Sequence, residues 1–472
     1  MTSRRLPAAI ILLAIGVAAI VTLGPGSQAD PPDSARPSLA SASFVAPPDE
    51  ALASTWFCAA GVVDAALEAD HGVVIINPHP ERVTGSLTAY GEDGALGGQI
   101  LDLAAFSRSL IRLADLELGS PGHVAALIEL NRGAMVVEHR VTTVGGDDHG
   151  RCATGTAGAW QFAHGVTEAD AALELVLFNP FPDTASVDVV FDAEDGFRAP
   201  QALEGLVVPA ETIRVVDVAE AVPLRAELII RVQVRSGRVV ADRVQSFDGS
   251  AGRTGIEVEL GASGPALAWV FPGGVVGEDG SGAVIIVANP TDAPAEIELE
   301  LVADPEQANP ILVTRTVFAH RREVIELAGP DIGEPGTAFA TTVRSFNEVP
   351  VLVERLVGGP GQALSSLGTT VMASRYVLAS LGEQGAGLVV VNPSEEETSV
   401  SVEWLGPDGP EPIGSFDVAG GELVVHPLNH HSANPVGAVV VQADHPVQVD
   451  VVPGTGGPPV PVDGLVALTA DF

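Results

Sequence analysis

Histidines and carboxylates form the few clusters in this chain whose residue types could hold a metal. His426, His430 and His431 fall together in VVHPLNHHSANP. A zinc site would need these imidazoles to converge with a fourth ligand. Adjacent His430 and His431 point opposite ways along an extended segment, which favours an ordinary polar loop. His149, beside Asp147 and Asp148 in GGDDHG, reads as a loop between two units. Glu92-Asp93, Glu194-Asp195 and Asp408 precede glycines and invite a calcium reading. Calcium takes six to eight oxygens, whereas each of these turns offers one or two carboxylates. Asp-Gly is wanted at a hairpin tip for backbone reasons alone. No GxSxG elbow, HExxH helix or GxxxxGK loop occurs, and neither cysteine lies in a CxxC pair. The sequence therefore predicts no catalytic residue, no metal ligand and no cofactor.

Two further residue sets have chemical potential. Trp56, Trp160 and Trp269 share one slot with Tyr376, in TWFCAAG, AWQFAHG, AWVFPGG and RYVLASL. Aromatics there could stack on sugar rings, but at the start of a strand they more often plug a core. Cys58 and Cys152 are the two cysteines of the chain. In an exported protein they would form a disulfide, worth about 4 to 5 kcal/mol at most by loop entropy.

The elements that must carry these residues repeat. Asn77-Pro78, Asn179-Pro180, Asn289-Pro290 and Asn392-Pro393 each end an apolar run, at intervals of 102, 110 and 103 residues. Proline ends a strand because it cannot donate to the ladder. The preceding asparagine is biased to extended geometry and can cap the turn. Gly94, Gly196 and Gly409 each follow 17 residues after the asparagine of their copy, between alternating apolar stretches. Each copy closes on a second hairpin whose last strand bears an acid and then an arginine: Glu138 and Arg140, Asp242 and Arg243, Glu354 and Arg355. In the fourth copy Asp450 precedes Val451. This signature could form cross-strand ion pairs or seat one unit on the next.

A period near one hundred residues with about seven short strands predicts an all-β chain of four tandem immunoglobulin-like β-sandwich modules. The alternative, a β-propeller, would want a period of roughly 40 to 50 residues. The expected boundaries are 51–151, 152–262, 263–370 and 371–472. Leu101 to Leu116 is the one stretch outside the N-terminus that could be a short helix.

Arg4 and Arg5 precede an uncharged apolar run from Leu6 to Leu23, followed by Ser27-Gln28-Ala29. Residues 1–29 therefore read as a signal peptide, or else a signal anchor, with 30–50 as a flexible linker. Either way the remainder would lie outside the cytoplasmic membrane, secreted or tethered to it, touching the membrane only through that segment. The net charge is −38, with 23 basic residues, all arginine. Such a chain repels phosphate backbones, so nucleic acid is not an expected partner. Surface charge of this kind mainly keeps a protein soluble and protects sheet edges.

Taken in order, these landmarks resemble a family of secreted bacterial proteins made of tandem β-sandwich repeats whose function is unknown. Its repeats open with Trp-Phe/Tyr, pass through a strand ending in Asn-Pro, and close on Val-Val-x-Glu-Arg. Here the matches are TWFCAAG, GVVIINP and VVEHR; AWQFAHG, LVLFNP and VVADR; AWVFPGG, IIVANP and VLVER; the fourth copy diverges most. The resemblance implies an extracytoplasmic, non-enzymatic protein. The expected function is a structural or interaction role in the cell envelope, with an envelope protein or wall polysaccharide as partner. The alternative is a carbohydrate-binding protein of envelope polysaccharide assembly. An enzyme with a site between modules is the third reading.

Overall fold

The computed structural model describes residues 45–303 apart from 67, 120 and 145, then 310–357, 364–378, 386–406, 408–428, 437–452 and the backbone of 465–470. Among these residues the fold is all-β, with many separate sheets and no closed barrel or propeller. Alternation of β-branched residues is the cause: in Ala185–Ala193 every second side chain is buried, beginning with Ala185, Val187, Val189 and Phe191.

Eight strands recur in each of the first three copies. In copy 1 the opening strand Ser54–Cys58 pairs with Ala125–Leu130, which pairs with Val83–Gly91 and so to Gly94–Leu103. A second sheet runs from Gly146–Arg151 through the closing strand Val136–Thr143 and the Asn-Pro strand Asp70–Asn77 to Ser107–Arg112. Trp56, Leu87 and Ile128 of the first sheet share a core with Val73, Ile75 and Val137 of the second. Copies 2 and 3 repeat both orders. In copy 4 the 15-residue strand Ala438–Val452 serves both sheets. Its first half pairs with the opening strand Ala373–Leu378, and its second half with the Asn-Pro strand Gly387–Val391.

Several expectations need correction. The strand count is eight rather than seven, and the order is not that of an immunoglobulin domain. There the first two strands are neighbours in one sheet; here they lie in different sheets, with the opening strand beside the sixth. Leu101 to Leu116 is mostly strand, with a single 3-10 turn at Leu113–Leu116, because both neighbouring sheets offer it a ladder. GGDDHG is no loop: residues 146–151 form the eighth strand, paired with the closing strand.

The hairpin glycines behave as the sequence predicts. Gly94, Gly196 and Gly409 have φ of 124°, 126° and 109°, at tips that pair Gly91 with Gly94, Ala193 with Gly196 and Gly406 with Gly409. Cys58 and Cys152 form the expected disulfide, joining positions 94 residues apart. It lies beside a bridge between Phe57 and Ala153, which the later copies reproduce without cysteine as Gln161–Ala262 and Val270–Thr369. Among the described residues no helix is long and apolar enough to cross a membrane. The apolar run Leu6 to Leu23 lies outside them.

Copies 1 and 4 present equivalent apolar residues to a neighbour. Copy 1 presents Phe57 and Tyr90 to copy 2, where the rings meet Phe181 and Phe178 at centroid distances of 5.8 and 5.4 Å. Copy 4 presents the equivalent Val377 and Leu405, with Ala438 and Val440, to the core of copy 1. The Phe106 ring lies against the copy-4 hairpin glycine, Gly409. Each copy thus touches the next, and the fourth touches the first.

Candidate functional site: the polar seams between copies

The asparagine of each Asn-Pro pair is fully buried and serves its own copy. Asn77 Nδ2 donates to Glu81 O and Ala104 O, each at 2.8 Å, while Oδ1 accepts from His79 N at 3.0 Å. Asn289 Nδ2 donates to Ala293 O at 2.7 Å and Val317 O at 2.9 Å, and Oδ1 accepts from Thr291 N at 3.0 Å. Asn179 and Asn392 make the same bonds. One side chain therefore satisfies the buried backbone where a strand ends at proline. These are fold residues.

The aromatic slots are also structural. Trp56, Trp160 and Trp269 are all 0% exposed. Trp160 Nε1 donates to Val239 O at 2.9 Å, Trp269 Nε1 to Val351 O at 2.6 Å, and Tyr376 Oη to Val447 O at 2.7 Å. Trp56 Nε1 finds no hydrogen-bond partner among the described residues. The sugar-stacking role considered for these tryptophans is corrected, because no ring face reaches solvent.

What the sequence left undecided is the acid-arginine signature, and here strand register is informative. Val74 pairs with Glu138 and Val73 with His139; Val176 pairs with Asp242 and Leu175 with Arg243. Ile286 pairs with Glu354 and Ile285 with Arg355; Val389 pairs with Asp450 and Leu388 with Val451. Counted from the Asn-Pro pair, the acid slot holds Glu138, Asp242, Glu354 and Asp450. The next slot holds His139, Arg243, Arg355 and Val451. Arg140 is thus not the equivalent of Arg243. It lies one residue further on, half-exposed, in a cross-strand ion pair with Asp147 at 2.8 Å.

In this register a single junction recurs. The acid of each later copy reaches back to the amides that follow the opening strand of the copy before. Asp242 Oδ2 accepts from Ala59 N at 3.0 Å and Ala60 N at 2.8 Å. Glu354 Oε1 accepts from Ala163 N at 2.6 Å and His164 N at 3.3 Å, and Asp450 Oδ2 from Gly273 N at 3.1 Å. Each acid also faces the second slot of the preceding copy: His139–Asp242 at 3.9 Å, Arg243–Glu354 at 3.0 Å and Arg355–Asp450 at 3.9 Å. Arg243 and Arg355 donate in addition to His164 O and Gly273 O of their own copies.

The eighth strands add a second rule. Asp148 accepts from Val258 N at 2.7 Å, Glu257 from Ser365 N at 2.6 Å, and Glu259 from Leu367 N at 2.9 Å. Edge-strand amides that would otherwise be buried unpaired are thereby capped by the neighbouring copy. The GGDDHG and IEVEL motifs carried this signal, since acids in a final edge strand have no reason to alternate inward unless something receives them.

The seams differ in charge. Between copies 1 and 2, His71 Nδ1 contacts Val124 O at 2.8 Å and His71 Nε2 contacts His139 Nδ1 at 3.2 Å. Burial lowers the His71 pKa to about 4 and drives His139 well below its ordinary value. Burial raises Asp242 to about 8, against the pull of the Ala60 and Ala59 amides. Burial thus pushes His71, His139 and Asp242 alike toward their neutral forms. Between copies 2 and 3, Arg243 is fully buried with Glu354, Glu257 and Ser365, its Nη2 donating to Ser365 Oγ at 2.8 Å and to Glu257. Burial disfavours the guanidinium charge, but Glu257, Glu354 and Glu259 more than offset this and hold the pKa above its ordinary range.

Of the other sequence candidates, His426 lies in strand Leu423–Pro427 and stacks on Phe416, 4.9 Å between centroids. His430 and His431 fall outside the described residues. Burial lowers His149 to about 4.

A family of unknown function, DUF5719, matches residues 123–353 and 277–464, more than half of the chain. The chain belongs to this family. Among curated proteins none matches. An α-L-rhamnosidase of Streptomyces avermitilis, solved with L-rhamnose, is 12% identical over 85% of this chain and 42% of its own, with a TM-score of 0.15. The chain thus spans under half of that enzyme. A tetra-tandem repeat from the extending region of a large adhesion protein is 12% identical over 86% of this chain and 97% of its own, with a TM-score of 0.11. At these scores neither likeness bears on fold or function.

Proposed function

We propose that this DUF5719 protein is an exported structural or interaction protein of the cell envelope, without catalysis. Residues 1–29 would be its signal peptide or anchor, and its four repeats separate β-sandwich modules. The observation that carries this reading is where the buried polar groups go. Asp242, Glu354, Asp450, Arg243 and Arg355 are spent on backbone groups and on one another across seams. A docked array of this kind presents surface to a protein or wall polymer. Fractionation of cells expressing the tagged full chain, with cross-linking and recovery from the envelope, tests it. Enrichment outside the cytoplasmic membrane together with a specific envelope partner is expected. Retention in the cytoplasm, or substrate turnover abolished by one polar substitution, would overturn it.

A further inference from the structure

The seam between copies 2 and 3 breaks the pattern of the others. Strand register makes three ladder positions equivalent in every repeat. The first holds Phe57, Val270 and Val377 in copies 1, 3 and 4 but Gln161 in copy 2. The second holds Tyr90, Val302 and Leu405 but Asp192 in copy 2. The third holds Leu127, Thr342 and Val440 but Arg231 in copy 2. Across the seam stands His320, at φ 55°.

These polar residues meet by hydrogen bonds and ion pairs where the other seams pack apolar groups: Arg321 Nη1 donates to Ala193 O at 3.1 Å and Glu194 O at 2.8 Å, and Arg322 Nη2 to Ala226 O at 3.1 Å. Asp192 is buried and meets Arg231 Nη2 at 3.0 Å, while His320 Nδ1 lies 3.4 Å away and His320 Nε2 is 2.9 Å from Asp292. Asp192 Oδ1 takes no hydrogen bond among the described residues. Beside it opens a cavity of about 170 Å³, lined by Asp192, Glu194 and Glu227 from copy 2 and His320, Arg321 and Arg322 from copy 3.

We propose that this cavity binds a small, neutral, polyhydroxylated molecule: a monosaccharide or the terminal sugar of a glycan. The lining selects by elimination. Three carboxylates repel phosphate, and two guanidiniums deny a free amine a uniformly negative site. Ala193 and Ile229 are the apolar residues of the lining, too little for a hydrophobic ligand. No group of three His, Cys, Asp or Glu is placed to hold a metal among the described residues. Hydroxyls donate and accept, so they match interleaved acceptors and donors. The size admits one ring rather than a polymer segment. The inference does not depend on export.

Ligand-observed NMR and calorimetry on the intact chain test it, using glucose, galactose, mannose and N-acetylglucosamine, with inorganic phosphate and 1,4-diaminobutane as the competing chemistries. At least one sugar is expected to bind, with affinity falling about tenfold or more in Asp192→Leu and in Glu227→Gln. Glu227 sits at the half-exposed rim, so Glu227→Gln reads the site even if Asp192→Leu fails to fold. The proposal is overturned if no sugar binds, if both variants bind as the wild type does, or if phosphate or the diamine binds instead.

Discussion

The seam between copies 1 and 2 and the seam between copies 2 and 3 solve one problem by opposite means. Both place a carboxyl on the amides after an opening strand. In the first, histidine fills the cation slot, Asp242 keeps its proton, and Phe57 and Tyr90 seal the rest against Phe181 and Phe178. In the second, Arg243 is buried among Glu354, Glu257 and Ser365, and the surrounding positions are polar. The lesson is that the backbone demand of the junction is fixed, while its charge is free to vary so long as the slots vary together.

The largest expected contrast is between matched acid-to-amide substitutions. Glu354→Gln removes one of the two carboxylates paired with the buried Arg243, leaving Glu257, and should cost about 3 kcal/mol. Asp242→Asn replaces an already neutral acid and should cost about 1 kcal/mol or less. Chemical denaturation of each variant checks both, and equal costs would erase the distinction. Next in size is the disulfide. Cys58→Ala with Cys152→Ala should lose about 2 kcal/mol, the low end for a disulfide, because the Phe57–Ala153 bridge keeps the hydrogen bonds that suffice in copies 2 and 3.

A pH series sharpens the comparison further. Asp242 is raised from 3.8 to about 8, so its contribution to stability declines as pH rises through that window. His71 is lowered from 6.5 to about 4, so its contribution declines as pH falls through that window. Between pH 4 and 6.5 the two slopes oppose each other. Asp242→Asn removes one, so the variant should lose stability relative to the wild type on acidification, by up to ~1.4 kcal/mol per pH unit. Parallel curves would show that Asp242 is not raised by burial. The smallest effect is expected of Arg140→Ala, below about 0.5 kcal/mol, because its pair with Asp147 is solvated.

Much of this was legible in the chain. The Asn-Pro clock, the Asp-Gly hairpins and the aromatic slot follow from local backbone rules, and each fell where alternation placed it. The signature was harder. Glu138 and Arg140 look equivalent to Asp242 and Arg243 by residue type, and only pairing to Val74 and Val73 shows that His139 holds the cation slot. The partners of Asp242 lie about 180 residues away, in a different copy. No periodicity within a copy reports such a contact. Asp148, Glu257 and Glu259 alternate visibly in GGDDHG and IEVEL, but their receivers lie in the next copy, and Asp192 stands out only once Tyr90 and Leu405 are known to occupy its position.

A double-mutant cycle on Arg243 and Glu354 tests the shared junction most directly, using Arg243→Met, Glu354→Leu and both together. Each single variant should be destabilised, and the double variant by clearly less than the sum of the two, because Glu257 and the Ala163 and His164 amides still lose partners. Additive losses would mean that the two residues do not meet across the seam, and the common junction would have to be abandoned.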